Sequence, residues 1–203
     1  MQIYINASAE QEEELRSKEL SNETNLIFSS QLPISSDSAN FDVFFILNHR
    51  VHDLKKADLP TKSIFINSVI DTLVELNLPK NVHRINGWPG FLSRNLWEIS
   101  TQDEEEVKAV FEKIDWQFII VKDTPGLVAA RVISMVINEA YYALKEQVST
   151  PQEIDTAMKL GTNYPFGPFE WAEKIGLKNV HQLLSKLSIK DKRCIPSFEI
   201  ENN

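Results

Sequence analysis

The sequence predicts an α/β fold in which a parallel-sheet domain over residues 1–122 precedes an all-helical domain over residues 123–203. Up to Val121, short strand patterns alternate with helical patterns, which is the order expected of a parallel sheet. Two of the strand patterns, FDVFFIL at 41–47 and SIFIN at 63–67, are continuous apolar runs typical of strands buried on both faces. After Val121 only helical patterns follow, so we place the domain boundary at about residue 122.

β-Branched and aromatic residues indicate the strands of the first domain, and capping signals indicate its helices. In the first helix Ser8 and Gln11 form a capping box, and in the third the acidic residues of the first turn are favoured by the helix dipole. The strands are predicted at 2–6, 25–30, 41–47, 63–67, 82–86, 95–100 and 116–121, and the helices at 8–20, 68–77 and 101–114.

Four helices are predicted in the second domain. The first runs from Thr124 to Gln147 with Pro125 at its first position, and its apolar face is wide enough to pack against more than one neighbour. The second ends at Gly161, where a glycine is favoured just past the helix, and the third ends at Gly176. The fourth helix is NVHQLLSKL. The start of the second helix is specified by Thr150, Pro151 and Glu153.

The 203 residues carry a net charge of −8, from 21 Lys and Arg against 29 Asp and Glu, and 42% of them are hydrophobic. Because there is no basic run or stripe, we expect neither a nucleic acid nor a membrane surface as partner. No apolar run approaches the length of a membrane span, and the first residues lack the basic region of a signal peptide. The one cysteine, Cys194, can form neither an internal disulfide nor a metal cluster, so we expect a cytoplasmic protein without a metal site.

The motifs of the second domain keep an order and a spacing that resemble one known family. They are DTPGLVAAR (123–131), NEA (138–140), EID (153–155), Gly161, YPFGPFEW (164–171) and IGL (175–177). This succession resembles the C-terminal domain of the 3-hydroxyacyl-CoA dehydrogenases. In the first domain VHRINGW (82–88) and FIIVKDTPG (118–126) extend the resemblance more weakly, and by this resemblance the first domain is a shortened Rossmann-like domain.

The resemblance implies a Rossmann domain that binds NAD, a helical domain that forms a homodimer, and an acyl-CoA held between the two. It also implies a histidine that takes the proton of the 3-hydroxyl group while hydride leaves for the nicotinamide, and a glutamate that orients the histidine. Glu98 in LWEI matches that glutamate. Asn67 and Ser68 lie in the region that resembles the substrate-binding serine segment, but shifted along the chain.

The residues that should carry the chemistry depart from the family pattern. There is no glycine before Gly87, and glutamates at 12–14 stand where a glycine-rich loop would approach a pyrophosphate, so we expect no cofactor. Pro89 falls at the position of the histidine and has no titratable group. Ala130, before Arg131, replaces an asparagine that contacts substrate in the family.

The remaining histidines do not replace the missing base. His49 and His52 lie three residues apart with Asp53 adjacent, a pair that is usually incidental, so we expect no metal there. His83 is expected to face solvent from its strand, and His181 lies on the last helix.

Two interpretations follow. The first is a divergent family member without dehydrogenase activity, a pseudoenzyme that acts as a homodimer and binds an acyl-CoA-like ligand or a partner protein. The alternative is an active NAD-dependent 3-hydroxyacyl-CoA dehydrogenase, an oxidoreductase of fatty-acid metabolism, with a rearranged active site. The stretch before Gly87 discriminates between them, because an NAD enzyme needs a phosphate cradle there.

Overall fold

The structure is a computed structural model that describes residues 1–19, 23–49 and 51–198. The chain divides into two compact units, Met1–Leu127 and Val128–Asn203. The first unit contains the sheet and the second is helical, as the sequence predicts.

Among the described residues, seven strands form one sheet in the order β2-β1-β3-β4-β5-β6-β7. The first five strands run parallel, β6 is antiparallel to β5, and β7 is parallel to β6. This mostly parallel sheet confirms the predicted fold class. The strands are β1 (Gln2–Asn6), β2 (Asn25–Ser29), β3 (Val43–Ile46), β4 (Ser63–Asn67), β5 (Val82–Ile85), β6 (Leu96–Ser100) and β7 (Gln117–Ile120).

Both faces of the central strands are buried, which explains their continuous apolar sequences. Along β3, Val43 and Phe45 enter one core cluster, whereas Phe44 and Ile46 enter another. Successive side chains of a strand point to opposite faces of the sheet, so two clusters fed by one strand mean that the sheet is covered on both sides.

The α-helices described in the first unit are α1 (Ala9–Arg16), α2 (Val51–Leu54), α3 (Leu73–Leu76) and α4 (Glu104–Ile114), and a 3₁₀ helix spans Ser35–Ala39. The capping box of Ser8 and Gln11 is present at the start of α1. The helix predicted over 68–77 is wrong in length, because a capping box of Thr72 and Glu75 begins α3 late and Asn77, with a left-handed φ of 49°, ends it after one turn.

The described part of the second unit contains four α-helices and a short 3₁₀ helix at Lys192–Cys194. The α-helices are α5 (Ala129–Lys145), α6 (Pro151–Thr162), α7 (Pro168–Ile175) and α8 (Leu177–Ser188). The start of α6 and the end of α7 at Gly176 agree with the prediction. Two predicted helix boundaries were wrong. The first helix begins at Ala129 because Gly126 and Leu127 have φ of 85° and 50°, and Gly161 lies inside α6 because Asn163 takes the left-handed position.

The segment before α5 belongs with the sheet unit, although the sequence placed it in the helical domain. The Arg84 guanidinium pairs with Asp123 and donates to the Thr124 carbonyl at 3.4 Å. The amide of Gly126 donates to the Val69 carbonyl at 2.8 Å. These bonds fasten the segment to the sheet, and the first compact unit therefore extends to Leu127 rather than to residue 122.

Candidate functional site

The natural place for a ligand on this sheet is the crevice between β1 and β3. Sheets of this kind bind ligands outside the carboxyl ends of their strands, at the point where the strand order reverses. Here β1 is followed along the chain by β2 on one side and by β3 on the other. The carboxyl ends that meet at this switch point are Asn6 and the residues that follow Ile46.

The side chain of Asn6 ties the three neighbouring strand ends together. Asn6 is 1% exposed, and its Nδ2 donates to the carbonyls of Ser29 at 3.3 Å and Gln31 at 3.1 Å. Its Oδ1 accepts from the amide of Asn48 at 3.3 Å and lies 2.5 Å from Nδ1 of His49. These contacts use both donors of the amide and both acceptor positions of its oxygen.

Gln11 and Asn67 form hydrogen bonds at the same edge of the sheet, to the segments that follow β3 and β5. Gln11 is buried, and its Nε2 donates to the carbonyls of Leu47 at 3.3 Å and Gly87 at 2.8 Å. Asn67, a predicted substrate-binding residue, donates to the Leu47 carbonyl at 3.3 Å and accepts from the Gly87 amide at 3.1 Å. A Cβ at Gly87 would lie 2.8 Å from the Asn67 side chain, so this position requires glycine.

The acidic helix α1 turns one of its glutamates inward. The carboxylate of Glu14 accepts from the amides of Gly90, Leu92 (3.0 Å) and Ser93 (3.3 Å). Lys18, just beyond the helix, donates from Nζ to the Arg94 carbonyl at 2.8 Å. The part of α1 that the sequence places against a pyrophosphate is therefore bound to the loop after β5.

The residues that hold this loop were missed from the sequence. Gln11, Glu14 and Lys18 are spaced three and four residues apart, which puts them on one side of a helix. That spacing was the available signal. We interpreted the glutamates at 12–14 as one solvated acidic face instead. This holds for Glu12, which pairs with Arg16 at 2.6 Å, and for the exposed Glu13, but not for Glu14.

The predicted catalytic and substrate-binding residues lie on separate elements. Glu98 is half-buried on β6, opposite Ile119 of β7. Ser68 follows β4, is buried, and donates from its hydroxyl to the Asp71 carbonyl at 3.0 Å. Pro89 lies in the loop that α1 holds.

Arg84, which matches the family pattern, has a structural role. The side chain is 0% exposed, and its Nε donates to the Ser68 carbonyl at 2.8 Å. Its partner Asp123 also accepts from the amides of Leu73 at 3.1 Å and Val74 at 3.3 Å, at the start of α3. Burial lowers the pKa of Arg84, and the hydrogen bond that Arg84 donates to Asp123 opposes that change. The pair thus links β5, α3 and the segment before α5.

His83 does not face solvent, so that prediction was wrong. The side chain is 0% exposed because β5 is covered on both faces. Its Nδ1 lies 2.7 Å from the Thr101 hydroxyl, and its Nε2 lies 3.7 Å from the Glu106 carboxylate. Burial lowers the pKa of His83, while the charges of Glu106 and Asp103 oppose the change.

No metal centre emerges from the ranges 1–19, 23–49 and 51–198, where no group of three or more His, Cys, Asp or Glu side chains could hold an ion. His49 contacts Asn6, and His52 is exposed. Within the same ranges, no helix is long and apolar enough to cross a membrane.

In the helical unit the family-like motifs hold the helices together. Asp155 on α6 accepts from the amides of Phe169 at 2.8 Å and Glu170 at 3.2 Å, and so caps the start of α7. A Cβ at Gly167 would lie 2.3 Å from Oδ1 of Asp155, so the glycine is needed for this close approach. Ala130, at the position of the expected asparagine, is buried.

Comparison with known proteins identifies this unit. Residues 126–198 match the family described as 3-hydroxyacyl-CoA dehydrogenase, C-terminal domain. This stretch of the chain therefore matches the 3-hydroxyacyl-CoA dehydrogenase family. Relatives include a probable 3-hydroxybutyryl-CoA dehydrogenase of Bacillus subtilis, 40% identical over 91 residues, which are 44% of this chain and 32% of the relative. The 3-hydroxyadipyl-CoA dehydrogenase of Escherichia coli is 45% identical over 67 residues, 33% of this chain and 14% of the relative. The matched segments thus span less than a third of these two relatives.

Solved structures also share the fold over most of the chain. The (S)-3-hydroxybutyryl-CoA dehydrogenase of Ralstonia eutropha superposes with a TM-score of 0.65 and 24% identity, over 86% of this chain and 67% of that one. FadB2 of M. tuberculosis gives a TM-score of 0.66 at 14% identity, over 84% of this chain and 67% of that one. At these identities the likeness concerns the fold alone, and it supports the Rossmann-like description of the sheet unit.

Proposed function

We propose that the chain is a member of the 3-hydroxyacyl-CoA dehydrogenase family that has lost dehydrogenase activity and acts as a dimeric binding protein for an acyl-CoA-like ligand or a partner protein. One observation carries the proposal. At the β1–β3 switch point, where the family fold would receive NAD, the polar groups of the strand ends are hydrogen-bonded to Asn6, Gln11 and Asn67.

A dinucleotide does not fit this arrangement. Its pyrophosphate needs backbone amides at the start of a helix and a close approach that glycines permit. At the start of α1 the Gln11 amide is capped by the Ser8 hydroxyl, and the Ser8 amide donates to the Gln11 side chain. Glu12 and Glu13 follow, and carboxylates repel a dianion. We therefore expect no NAD.

The proposed loss of chemistry follows from the residues at the site. Hydride transfer from C3 needs a base for the hydroxyl proton, and Pro89 cannot accept a proton. The loss of a general base slows a reaction by about 10²–10⁴-fold. Asn67 and Ser68 are hydrogen-bonded to the protein's own backbone, and Glu98 is half-buried on β6.

The proposed homodimer is supported by the exposed apolar side chains of the helical unit. Val128 and Val132, one turn apart at the start of α5, are 49% and 48% exposed, and Leu160 on α6 is 83% exposed. Apolar side chains such as these are favoured inside an interface. An obligate interface of this kind buries about 2,000 Å² or more in total. Analytical ultracentrifugation at micromolar concentration should give a dimer, and a monomer would contradict this part of the proposal.

The alternative, an active dehydrogenase of fatty-acid metabolism, is favoured by the names of the relatives. A spectrophotometric assay separates the two. The chain is incubated with 3-hydroxybutyryl-CoA and NAD, and NADH formation is followed beside the Glu98→Gln variant. We expect no turnover above the protein-free rate from either. Turnover that the variant abolishes would make the chain an enzyme in which Glu98 takes part.

A further inference from the structure

The loop after β5 presents three backbone amides to one carboxylate. Gly90, Leu92 and Ser93 all donate to Glu14, the first to Oε1 and the other two to Oε2 at 3.0 and 3.3 Å. The left-handed φ of 88° at Gly90 is a conformation that glycine adopts without strain. Successive amides that converge in a loop form a concave anion-binding surface, and hydrogen bonds to a charged oxygen are the stronger kind.

Contacts that do not involve Glu14 fix the loop on both sides of these amides. Before them, the Gly87 amide and carbonyl are bonded to Asn67 and Gln11. After them, the Arg94 carbonyl accepts from Lys18. Within the loop, the side chain of Leu92 is 0% exposed. The amides are therefore held in position by the surrounding structure rather than by the carboxylate that they bind.

We propose that residues 90–93 form a carboxylate-binding site in its own right and that Glu14 fills it as an internal ligand. In the intact chain this ligand occupies the three amides, so the site is filled without any bound molecule. The site takes a small carboxylate because that is the group the three amides already hold. The proposal concerns the loop alone and is independent of whether the chain has dehydrogenase activity.

The test removes the internal ligand and supplies a free one. Glu14→Ala deletes the carboxylate, and the neighbouring exposed Glu13→Ala is the matched control. Both variants and the parent chain are titrated with sodium acetate, with sodium chloride at equal ionic strength as the reference. The readouts are the midpoint of thermal unfolding and the hydrogen exchange of the amides of Gly90, Leu92 and Ser93.

We expect Glu14→Ala to exchange these three amides faster, by on the order of tenfold or more, because each loses a charged acceptor. Acetate should slow them again and raise the unfolding midpoint along a saturating curve, as for any ligand that binds only the folded state. The parent chain and Glu13→Ala should show no difference between acetate and chloride.

Two results would overturn the proposal: an equal response of Glu14→Ala to acetate and chloride, or an acetate response of the same size in the parent chain. Glu14→Gln provides a second check, because it leaves no cavity where the glutamate side chain was. Its amide oxygen keeps the shape of the ligand without the charge, so it should fold and give no acetate response. If Glu14→Ala fails to fold in chloride, the readout is recovery of the folded signal in acetate instead of the shift in midpoint. A variant that folds in neither salt would contradict the proposal.

Discussion

Asp123→Asn is expected to destabilise the sheet unit strongly, because it leaves the guanidinium of Arg84 buried without the carboxylate that pairs with it. The substitution keeps the shape of the side chain but removes its charge, and it weakens the hydrogen bonds from Leu73, Val74 and Ser100. Breaking a buried ion pair costs about 3–5 kcal/mol. Asp123 itself is 22% exposed, so we expect a loss near the lower limit, about 3 kcal/mol.

Urea unfolding followed by tryptophan fluorescence measures this loss. Of the four tryptophans, Trp88, Trp97 and Trp116 lie in the sheet unit, so the signal reports mainly on that unit. With a urea dependence of about 2 kcal/mol per molar, a loss of about 3 kcal/mol lowers the midpoint by about 1.5 M. Glu105→Gln, which breaks the exposed pair with Lys108, is the control and should leave the midpoint unchanged. A loss below about 1 kcal/mol for Asp123→Asn would refute the reasoning, because the backbone carbonyls alone would then satisfy the guanidinium.

Three further predictions follow from buried polar side chains. The pKa of His83 is lower in the folded than in the unfolded chain, so the unfolded state binds a proton more readily. The free energy of unfolding should therefore fall as the pH drops below about 6.5. His83→Gln should reduce this dependence of the unfolding free energy on pH, as measured by denaturation at several pH values. Asn6→Ala should cost about 1–3 kcal/mol in urea unfolding, since it leaves strand-end groups without partners, and no measurable loss would contradict the role given to Asn6. Asn138→Ala removes the hydrogen bond donated to the Ile195 carbonyl (2.9 Å) and the one accepted from the Ser197 amide (2.8 Å). Limited proteolysis should therefore cut the segment at residues 195–197 faster, and an unchanged rate would count against this role of Asn138.

The strands could be predicted from the local sequence because burial on both faces of the sheet requires each strand's own residues to be apolar. A strand buried on both faces must be apolar throughout, and the runs around Phe44 and Phe65 satisfy this condition. Capping boxes were equally readable, as at Ser8 and Thr150, because both partners lie within one turn.

The wrong predictions arose where distant parts of the chain decide the outcome. Pro125 suits the first turn of a helix, but the Gly126 amide is bonded to Val69 and Leu127 adopts a left-handed conformation, so α5 starts later. His83 lies on β5, both faces of which are covered, and its ring packs against Phe65 and lies near Glu106, two residues far from it in sequence. Glu14 lies in an acidic run, and the three amides that bind it are far away in sequence.

The most direct test of the central claim is a calorimetric titration of the purified chain with NADH. If Asn6, Gln11 and Asn67 close the switch point, the titration should show no saturation below about 1 mM, which corresponds to about −4 kcal/mol of binding free energy. The Bacillus subtilis relative, measured in parallel under the same conditions, provides the comparison. A micromolar dissociation constant for this chain would contradict the account, because it would require a dinucleotide site where the strand ends are hydrogen-bonded to one another.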